Sequence, residues 1–484
     1  MIHNDFHLCL EILQYIFDYL DFKNQIIFKS ICKYYYENLR IYDLYNIKVK
    51  YKKKFTDEIL KNFHHTKLLD VSNNPKITDI NHMKKLKILN ASNNCGLTDL
   101  GIKELKLTKL NIEFNRKIKN LNHMINLKKL YIDAKNYKYA YFNNESVKNL
   151  NLKKLYIGGN PLLTNLNHMS NLKKLQIQLY TGINNDGITN LNLVELNLSM
   201  DDKITNINHM TNLQKLYCSN KITDNDIKNL NLIELDTGLA KKITNINYMT
   251  KLKYLDASFE SGINNDGIIN LNLIHLNACA NEKITNINFM INLQILDASC
   301  GSGINDEEIK NLNLIKLNVS NNSKIFNINH MSNLRILDAS NKCGLDNEGI
   351  KNLNLIELNI SNNLYITNVN NLTNLQILDA SYNSGIDNNG IKNLNLIELN
   401  VCDNKKIINV NHMINLKKLN ASYNCGIDDN GINKLNLKEL NACGNSKITN
   451  VDYMTHLKIF NESQCYTKDK NGKKNWDFNF LGKK

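Results

Sequence analysis

The amino-acid sequence predicts a stacked solenoid, and three observations carry that expectation. A phrase Leu-x-x-Leu-Asn/Asp-apolar recurs about twenty times, every 20 or 21 residues. Its anchors run in order through Leu273, Leu293, Leu314, Leu334, Leu355, Leu375, Leu396, Leu416, Leu437 and Leu457. The 484 residues would otherwise suggest several globular domains, but a fixed period of this size means units that bury a core only against their neighbours. Such an array is chiefly a surface for holding another molecule, which favours binding over catalysis.

The unit from Leu355 to Asn374 shows the logic. Leu355, Leu358 and Ile360 alternate as in a half-buried strand; Ile366, Val369 and Leu372 then recur every third residue, as in a tight turn or short 3₁₀ segment. Asn363, between the two, is placed to bond the backbone of neighbouring coils. It recurs at Asn74, Asn94, Asn115, Asn160, Asn281, Asn322, Asn383, Asn404, Asn424 and Asn445. This pattern resembles the leucine-rich-repeat family, with its L-x-x-L-x-L-x-x-N-x-L signature, over about 400 residues from Thr66 to Cys465. The resemblance implies an α/β leucine-rich-repeat solenoid, a horseshoe with a parallel β-sheet on its concave side.

Units alternate in two forms, so the full period is 41 residues. One continues as Lys203-Ile-Thr-Asn-Ile-Asn-His-Met210, the other as Gly385 to Leu394, where Asp387 is placed to cap a single helical turn. Upstream, Ile47, Val49 and Tyr51 alternate with lysines, and Lys54-Phe55-Thr56-Asp57 echoes Lys221-Ile222-Thr223-Asp224. Residues 44–65 therefore read as a degenerate N-terminal capping unit, residues 66–465 as the repeats, and residues 466–484 as a basic, aromatic tail or cap.

The formal charge is +14 and the pI near 9.0, with local excess at Lys48–Lys54 and in the tail. This permits contact with acidic proteins or nucleic acid. The 11 cysteines include no C-x-x-C pair. Cys402 and Cys443, two coils apart, are separated by roughly 9.5 Å at the usual strand spacing, beyond disulfide reach. Reduced thiols in a cytoplasmic or nuclear protein are expected. The N-terminus lacks a basic leader and no apolar run approaches membrane-span length, so neither secretion nor a membrane is expected.

His82, His123, His168, His209, His330 and His412 occupy equivalent places at least two coils apart, and other units put Tyr248, Phe289, Asn371 or Tyr453 there. They read as packing positions, not metal ligands. No phosphate loop, zinc-protease motif or nucleophile elbow occurs, so no metal, cofactor or enzymatic activity is expected. The fourth residue after each anchor forms a polar stripe: Asp70, Asn90, Asn111, Asn197, Asp236, Asp256, Asn277, Asp297, Asn318 and Asp338, most simply a solvated scaffold. It breaks at Tyr131, Tyr156, Gln176 and Tyr217, beside Lys129, Lys154 and Lys174, with Glu113 and Asp133 nearby. The longest unit bulges here, at Asn136–Asn144, and carries Tyr137, Tyr139 and Tyr141. Aromatic residues with basic neighbours suit a binding hot spot. Lys129, Tyr131, Lys154, Tyr156, Lys174 and the three loop tyrosines are the candidate substrate-binding residues, set against simple drift in one repeat.

Residues 1–43 fall outside the repeat. Leu8, Ile12, Ile16 and Leu20 recur every four residues with Leu13 and Phe17 alongside, an amphipathic helix; a second apolar stretch follows at Ile26, Ile27 and Ile31. So short a hairpin must lean on the solenoid or on a partner. The run Leu8-Cys9-Leu10-Glu11-Ile12-Leu13-Gln14-Tyr15-Ile16-Phe17-Asp18-Tyr19-Leu20 resembles the F-box pattern L-P-x-E-[IL]-[LI]-x-x-I-F-x-x-L, with Cys9 in place of proline. Ile31-Cys32-Lys33-Tyr34-Tyr35 resembles the later V-C-[KR]-x-[WFY]. A small N-terminal all-α F-box-like segment implies docking to the adaptor Skp1 of a cullin-type ubiquitin ligase, through Leu8, Glu11, Ile12, Leu13, Ile16, Phe17, Leu20, Ile31 and Cys32. The repeats would then hold a target protein, with no chemistry of their own. The short units and Asn/Ile/Lys-rich text also resemble F-box/leucine-rich proteins of giant DNA viruses of amoebae, which implies a host adaptor. The alternatives are a repeat scaffold whose N-terminal helices are only a cap, and a basic nucleic-acid binder.

Overall fold

The computed structural model describes residues 9–134, 142–461, 466–468 and 474–476. The chain divides into two compact units, Met1–Leu232 and Ile233–Lys484.

Unit 1 opens with helices α1 (Leu10–Asp18), α2 (Phe22–Ser30) and α3 (Lys33–Asn38). Asp21 starts α2 by accepting the Asn24 N–H, as an N-cap should. Strands β1 (Asp43–Leu44), β2 (Leu68–Asp70), β3 (Ile88–Asn90), β4 (Lys109–Asn111), β5 (Lys129–Asp133), β6 (Lys154–Gly158), β7 (Lys174–Ile177), β8 (Glu195–Asn197) and β9 (Lys215–Tyr217) follow. Each pairs in parallel with the next. Unit 2 repeats the plan, from Glu234–Asp236 to Ile459–Asn461, again in parallel with anchor-to-anchor register. Beyond it, Tyr466–Lys468 and Lys474–Trp476 pair antiparallel.

Both units are stacks of leucine-rich coils. Leu355, Leu358, Ile360, Ile366, Val369 and Leu372 are all 2% exposed or less, so the six apolar positions of a coil form one continuous core. After the strand the backbone closes in consecutive short turns: the Leu372 N–H donates to Val369 and the Leu375 N–H to Leu372, each at 3.0 Å. Asn363 is fully buried. Its Nδ2 donates to Ala339 O at 2.8 Å in the preceding coil, while its Oδ1 accepts the N–H groups of Tyr365 and Ile366. Asn322, Asn404 and Asn445 do the same. These side chains supply the bonds that no ladder supplies where the coil turns.

Asn94, Asn383 and Asn424 do not share this role. They are exposed, and the following residues, Cys95, Ser384 and Cys425, are buried instead. In these coils the residue after the asparagine takes the turn position, as where the Ser384 hydroxyl accepts the Ile386 N–H at 3.4 Å. The glycine that comes next packs against the preceding coil: at Gly385 a Cβ would lie 2.6 Å from Leu364 O. Asp387 caps the turn that follows, accepting the Gly390 N–H at 3.0 Å.

The start of the sheet also differs from the alternation seen at Ile47, Val49 and Tyr51. The edge next to β2 is already occupied by β1, and Val49–Lys52 forms a helical turn instead. That turn brings Lys52 onto Asp70 at 2.5 Å and onto Tyr45 O at 2.6 Å. The echoed segment behaves as its counterpart does: Thr56 accepts the Ile59 N–H, and Thr223 caps Asp224–Ile227.

Candidate functional site

Parallel pairing at constant register turns each position of the coil into a row across the sheet. In unit 1, the second residue after the anchor gives Ile88, Lys109, Lys129, Lys154, Lys174 and Glu195 on successive strands β3–β8. The fourth gives Asn90, Asn111, Tyr131, Tyr156, Gln176 and Asn197. The sequence-predicted residues Lys129, Tyr131, Lys154, Tyr156 and Lys174 therefore lie on one face of three neighbouring strands, all half-buried. The Tyr131 and Tyr156 rings stack at 4.4 Å between centroids and 6° between planes. Burial, then the neighbouring Tyr156, pushes the Tyr131 phenol above its usual range, so it stays neutral at physiological pH.

Lys109 was not singled out by sequence, yet it extends the lysine row, and its ammonium sits 5.4 Å from the Tyr131 ring centroid. Its signal was position alone, two residues after the anchor Leu107. Lys174 is ion-paired with Glu195, which closes the row at β8. Glu113 is held by Asn111, whose Nδ2 donates to it at 2.9 Å. Tyr217 lies on β9, two strands beyond Gln176, and is not beside the stacked pair. The bulge meets the scaffold at Asn143, which caps Asn144–Val147, and at Asn144, whose Oδ1 accepts the Thr164 N–H at 2.9 Å. Tyr137, Tyr139 and Tyr141 lie outside the described residues.

In unit 2 the fourth-position row is different. From Asp256 to Asn400 it alternates Asp and Asn, and each asparagine donates to the aspartate of the preceding strand. Asn277 reaches Asp256 at 2.7 Å, Asn318 reaches Asp297 at 2.8 Å, Asn359 reaches Asp338 at 3.0 Å and Asn400 reaches Asp379 at 2.8 Å. Each aspartate also accepts the backbone N–H two residues on, as Asp338 does from Ser340. This stripe is a laterally bonded ladder and not merely solvated scaffold.

The N-terminal helices form a second candidate surface. Phe17 and Leu13 are buried, with Phe17 edge-on to Phe28 at 6.1 Å. Gln14 ties α1 to the segment after α3 by two bonds of 2.8 Å with Arg40. Phe22 packs on Tyr51, Phe55 and Phe63, so the helices lean on the first coil. Of the adaptor candidates, Leu13 and Phe17 thus face inward and serve the bundle, and Leu20 is half-buried. Glu11, Ile12, Ile16, Ile31 and Cys32 are exposed, with Ile12 at 47%, Ile16 at 44% and Ile31 at 63%. Ile26 and Ile27 are exposed as well. Leu8 lies outside the described residues.

The repeated histidines have a structural role that sequence did not reveal. Nε2 of His168, His209, His330 and His412 meets the carbonyl of Val147, Ile188, Ile309 and Ile391 at 3.0–3.2 Å, each the last residue of a helical turn. Where Tyr453 replaces histidine, its hydroxyl donates to Ile432 O at 2.9 Å, the same position. Four histidines and one tyrosine at this position thus bond a helix-end carbonyl, whereas Phe289 cannot donate and His82 Nε2 is buried without a partner among the described residues. Among the described residues, no group of three or more His, Cys, Asp or Glu is placed to hold a metal ion, and no helix is long and apolar enough to cross a membrane. Cys9, Cys32, Cys95, Cys218, Cys279, Cys300, Cys343, Cys402 and Cys425 are free thiols; Cys443 is disulfide-bonded, which departs from the expectation of wholly reduced cysteines.

No family model matches the chain, and no curated protein matches it. Among solved structures it is similar to a TLR13–ssRNA13 complex, at 17% identity and TM-score 0.41, covering 88% of this chain and 65% of that one. A leucine-rich-repeat protein of Leptospira interrogans is similar at 18% identity and TM-score 0.31, covering 87% and 98%. The functional domain of InlJ from Listeria monocytogenes is similar at 16% identity and TM-score 0.25, covering 79% and 75%. The chain thus spans under two thirds of the length of the TLR13 chain. The repeat architecture rests on this chain's own register, not on these likenesses.

Proposed function

We propose that the chain is a non-catalytic binding scaffold that grips a partner protein on the Lys109–Lys174 and Tyr131–Tyr156 face of unit 1. The observation that carries this reading is the contrast between rows. The Asp/Asn row of unit 2 is hydrogen-bonded from strand to strand, whereas Lys129 and Lys154 stand beside a stacked aromatic pair and form no ion pair among the described residues. Aromatic anchors beside basic side chains are the composition of interface hot spots.

The finer reading is a substrate-recognition subunit of an SCF-type ubiquitin ligase, acting in the cytoplasm or nucleus. Its handle would be the exposed apolar side chains Ile12, Ile16, Ile27 and Ile31, which Skp1 would cover. The free thiols support such a compartment, and the bonded Cys443 speaks against it. The ligase itself would reside in other subunits, so this chain needs no catalytic group. The test is co-purification of the full chain with purified Skp1. Wild type should bind, and Ile16→Asp should not, because a carboxylate at the centre of an apolar interface loses its hydration without a partner. Ile16 is already half in solvent, so the fold should tolerate the change. Binding that survives Ile16→Asp, or no binding by the wild type, would leave the scaffold without a ligase link.

A further inference from the structure

We infer that the grip of unit 1 receives an extended acidic segment of its partner, laid across β4–β7 with carboxylates on Lys109, Lys129 and Lys154 and its intervening residues on the Tyr131–Tyr156 stack. The inference rests on the reading of this face as the binding surface and adds the chemistry of what is bound.

Three features of the face argue for it. The first is a row of like charges in register. Lys109, Lys129, Lys154 and Lys174 are direct neighbours on four successive strands, an arrangement that repels across every pair. Only Lys174 has an ion-pair partner in the row, Glu195. Where unit 1 needs a lysine for its own structure, it provides the acid: Lys52 meets Asp70 at 2.5 Å. The three remaining lysines have a charge demand that the described residues leave open. Lys109 partly meets it with the Tyr131 ring, which keeps the ammonium in place without neutralising it.

The second feature is the span. Four strands at the usual spacing of about 4.8 Å give a track of roughly 14 Å. An extended chain rises about 3.3 Å per residue and points alternate side chains the same way. Some five residues cover the track, with two or three acidic side chains facing it.

The third feature selects peptide over nucleic acid. Single-stranded nucleic acids use aromatic platforms on which successive bases stack. Here the two rings are already closed on each other at 4.4 Å, leaving no slot for a base between them. Two residues beyond Asn111 stands the carboxylate of Glu113, held there by the Asn111 amide at 2.9 Å. A phosphate backbone would run beside this acidic edge and be repelled, whereas a peptide carrying acidic residues on one side and neutral or basic ones on the other matches both rows.

The experiment uses the full chain and two fluorescein-labelled probes, poly-L-glutamate and oligouridylate. Polyglutamate should bind wild type, with affinity falling as salt is raised. Lys129→Glu with Lys154→Glu should weaken it by about tenfold or more, and Lys129→Gln with Lys154→Gln should weaken it by less. Both pairs relieve like-charge repulsion, so folding is retained. Lys316→Glu, at the equivalent position in unit 2, should leave binding unchanged. The inference falls if oligouridylate binds more tightly than polyglutamate, if neither probe binds, or if Lys316→Glu weakens binding as much as the unit 1 pair. If a protein partner is lost with Tyr131→Ala and Tyr156→Ala but held by both lysine variants, the grip stands and the acidic segment is wrong.

Discussion

The fourth residue after the anchor leucine does opposite things in the two units. In unit 2, from Asp256 to Asn400, each aspartate takes one hydrogen bond from the next strand's asparagine and one from its own strand's backbone. The alternation follows the 41-residue period, since one coil form brings Asp and the other Asn. Every such carboxylate is hydrogen-bonded within the row. In unit 1 the same position holds a tyrosine pair beside lysines that repel one another. A closed row is scaffold. An open row is a place where another molecule can supply the missing groups, and it costs the free protein some stability to keep it open.

The largest expected effect tests the closed half. Asn363→Ala removes the donor to Ala339 O and the acceptor of the Tyr365 and Ile366 N–H groups; Asn363, Ala339 and Ile366 are fully buried. Several backbone groups lose their only partner, at a cost of about 3 kcal/mol. Urea unfolding, with amide exchange to localise the loss to unit 2, checks this; capture by unit 1 should be untouched. A loss below about 1 kcal/mol would mean that the coils do not depend on this spine.

The next test converts one row into the other. Tyr131→Asp with Tyr156→Asn installs the unit 2 pairing in unit 1, with the new asparagine donating to the new aspartate as Asn318 does to Asp297. The exchange loses a ring stack worth about 1 kcal/mol and gains a charge-assisted bond of similar size, so stability should change little. Partner capture should be abolished, as with Tyr131→Ala and Tyr156→Ala. Undiminished capture would show that the row's identity is irrelevant to binding and would end the distinction between open and closed rows.

Much of this was legible in the sequence. The leucine period fixed which residues face the core, because a solenoid allows only one inward side. Asn363 and Asp387 declared themselves by type and place. What escaped was whatever depends on contact between coils. The lateral Asp–Asn bonds need strand register, which no single unit contains. The histidines looked like packing because Tyr453 and Phe289 share their position, yet a common acceptor, the carbonyl ending the preceding helical turn, explains His and Tyr together. Asn94 looked equivalent to Asn74 because the repeat aligns them, but in that coil it is the next residue, Cys95, that is buried. Lys109 was passed over because its own repeat carries an ordinary Asn111; only the row shows that it belongs with Lys129. At Val49–Lys52 the apolar alternation does not continue the sheet, whose edge β1 already occupies, and the segment forms a helical turn.

The smallest expected effect lies where the closed ladder has a fault. Asp236 faces Asp256 directly across its strand pair, with no asparagine between them. Burial, opposed in part by the Gly238 N–H and reinforced by the Asp256 charge, raises the Asp236 carboxyl above the usual carboxylate range. A raised acid binds its proton more readily in the folded state. Its favourable contribution is therefore complete below the unfolded value and is lost as pH rises through the folded one. Asp429 runs the other way: the Thr449 hydroxyl lowers it, so its contribution is present above the ordinary range and lost on acidification. Asp236→Asn should accordingly raise the unfolding midpoint slightly at neutral pH, and the gain should shrink to nothing as pH falls through the carboxylate range. Asp429→Asn should do the reverse. A gain at Asp236 that is independent of pH would locate the fault in packing rather than charge, and the alternation of Asp with Asn in unit 2 would then owe less to charge pairing than to the fit of its side chains.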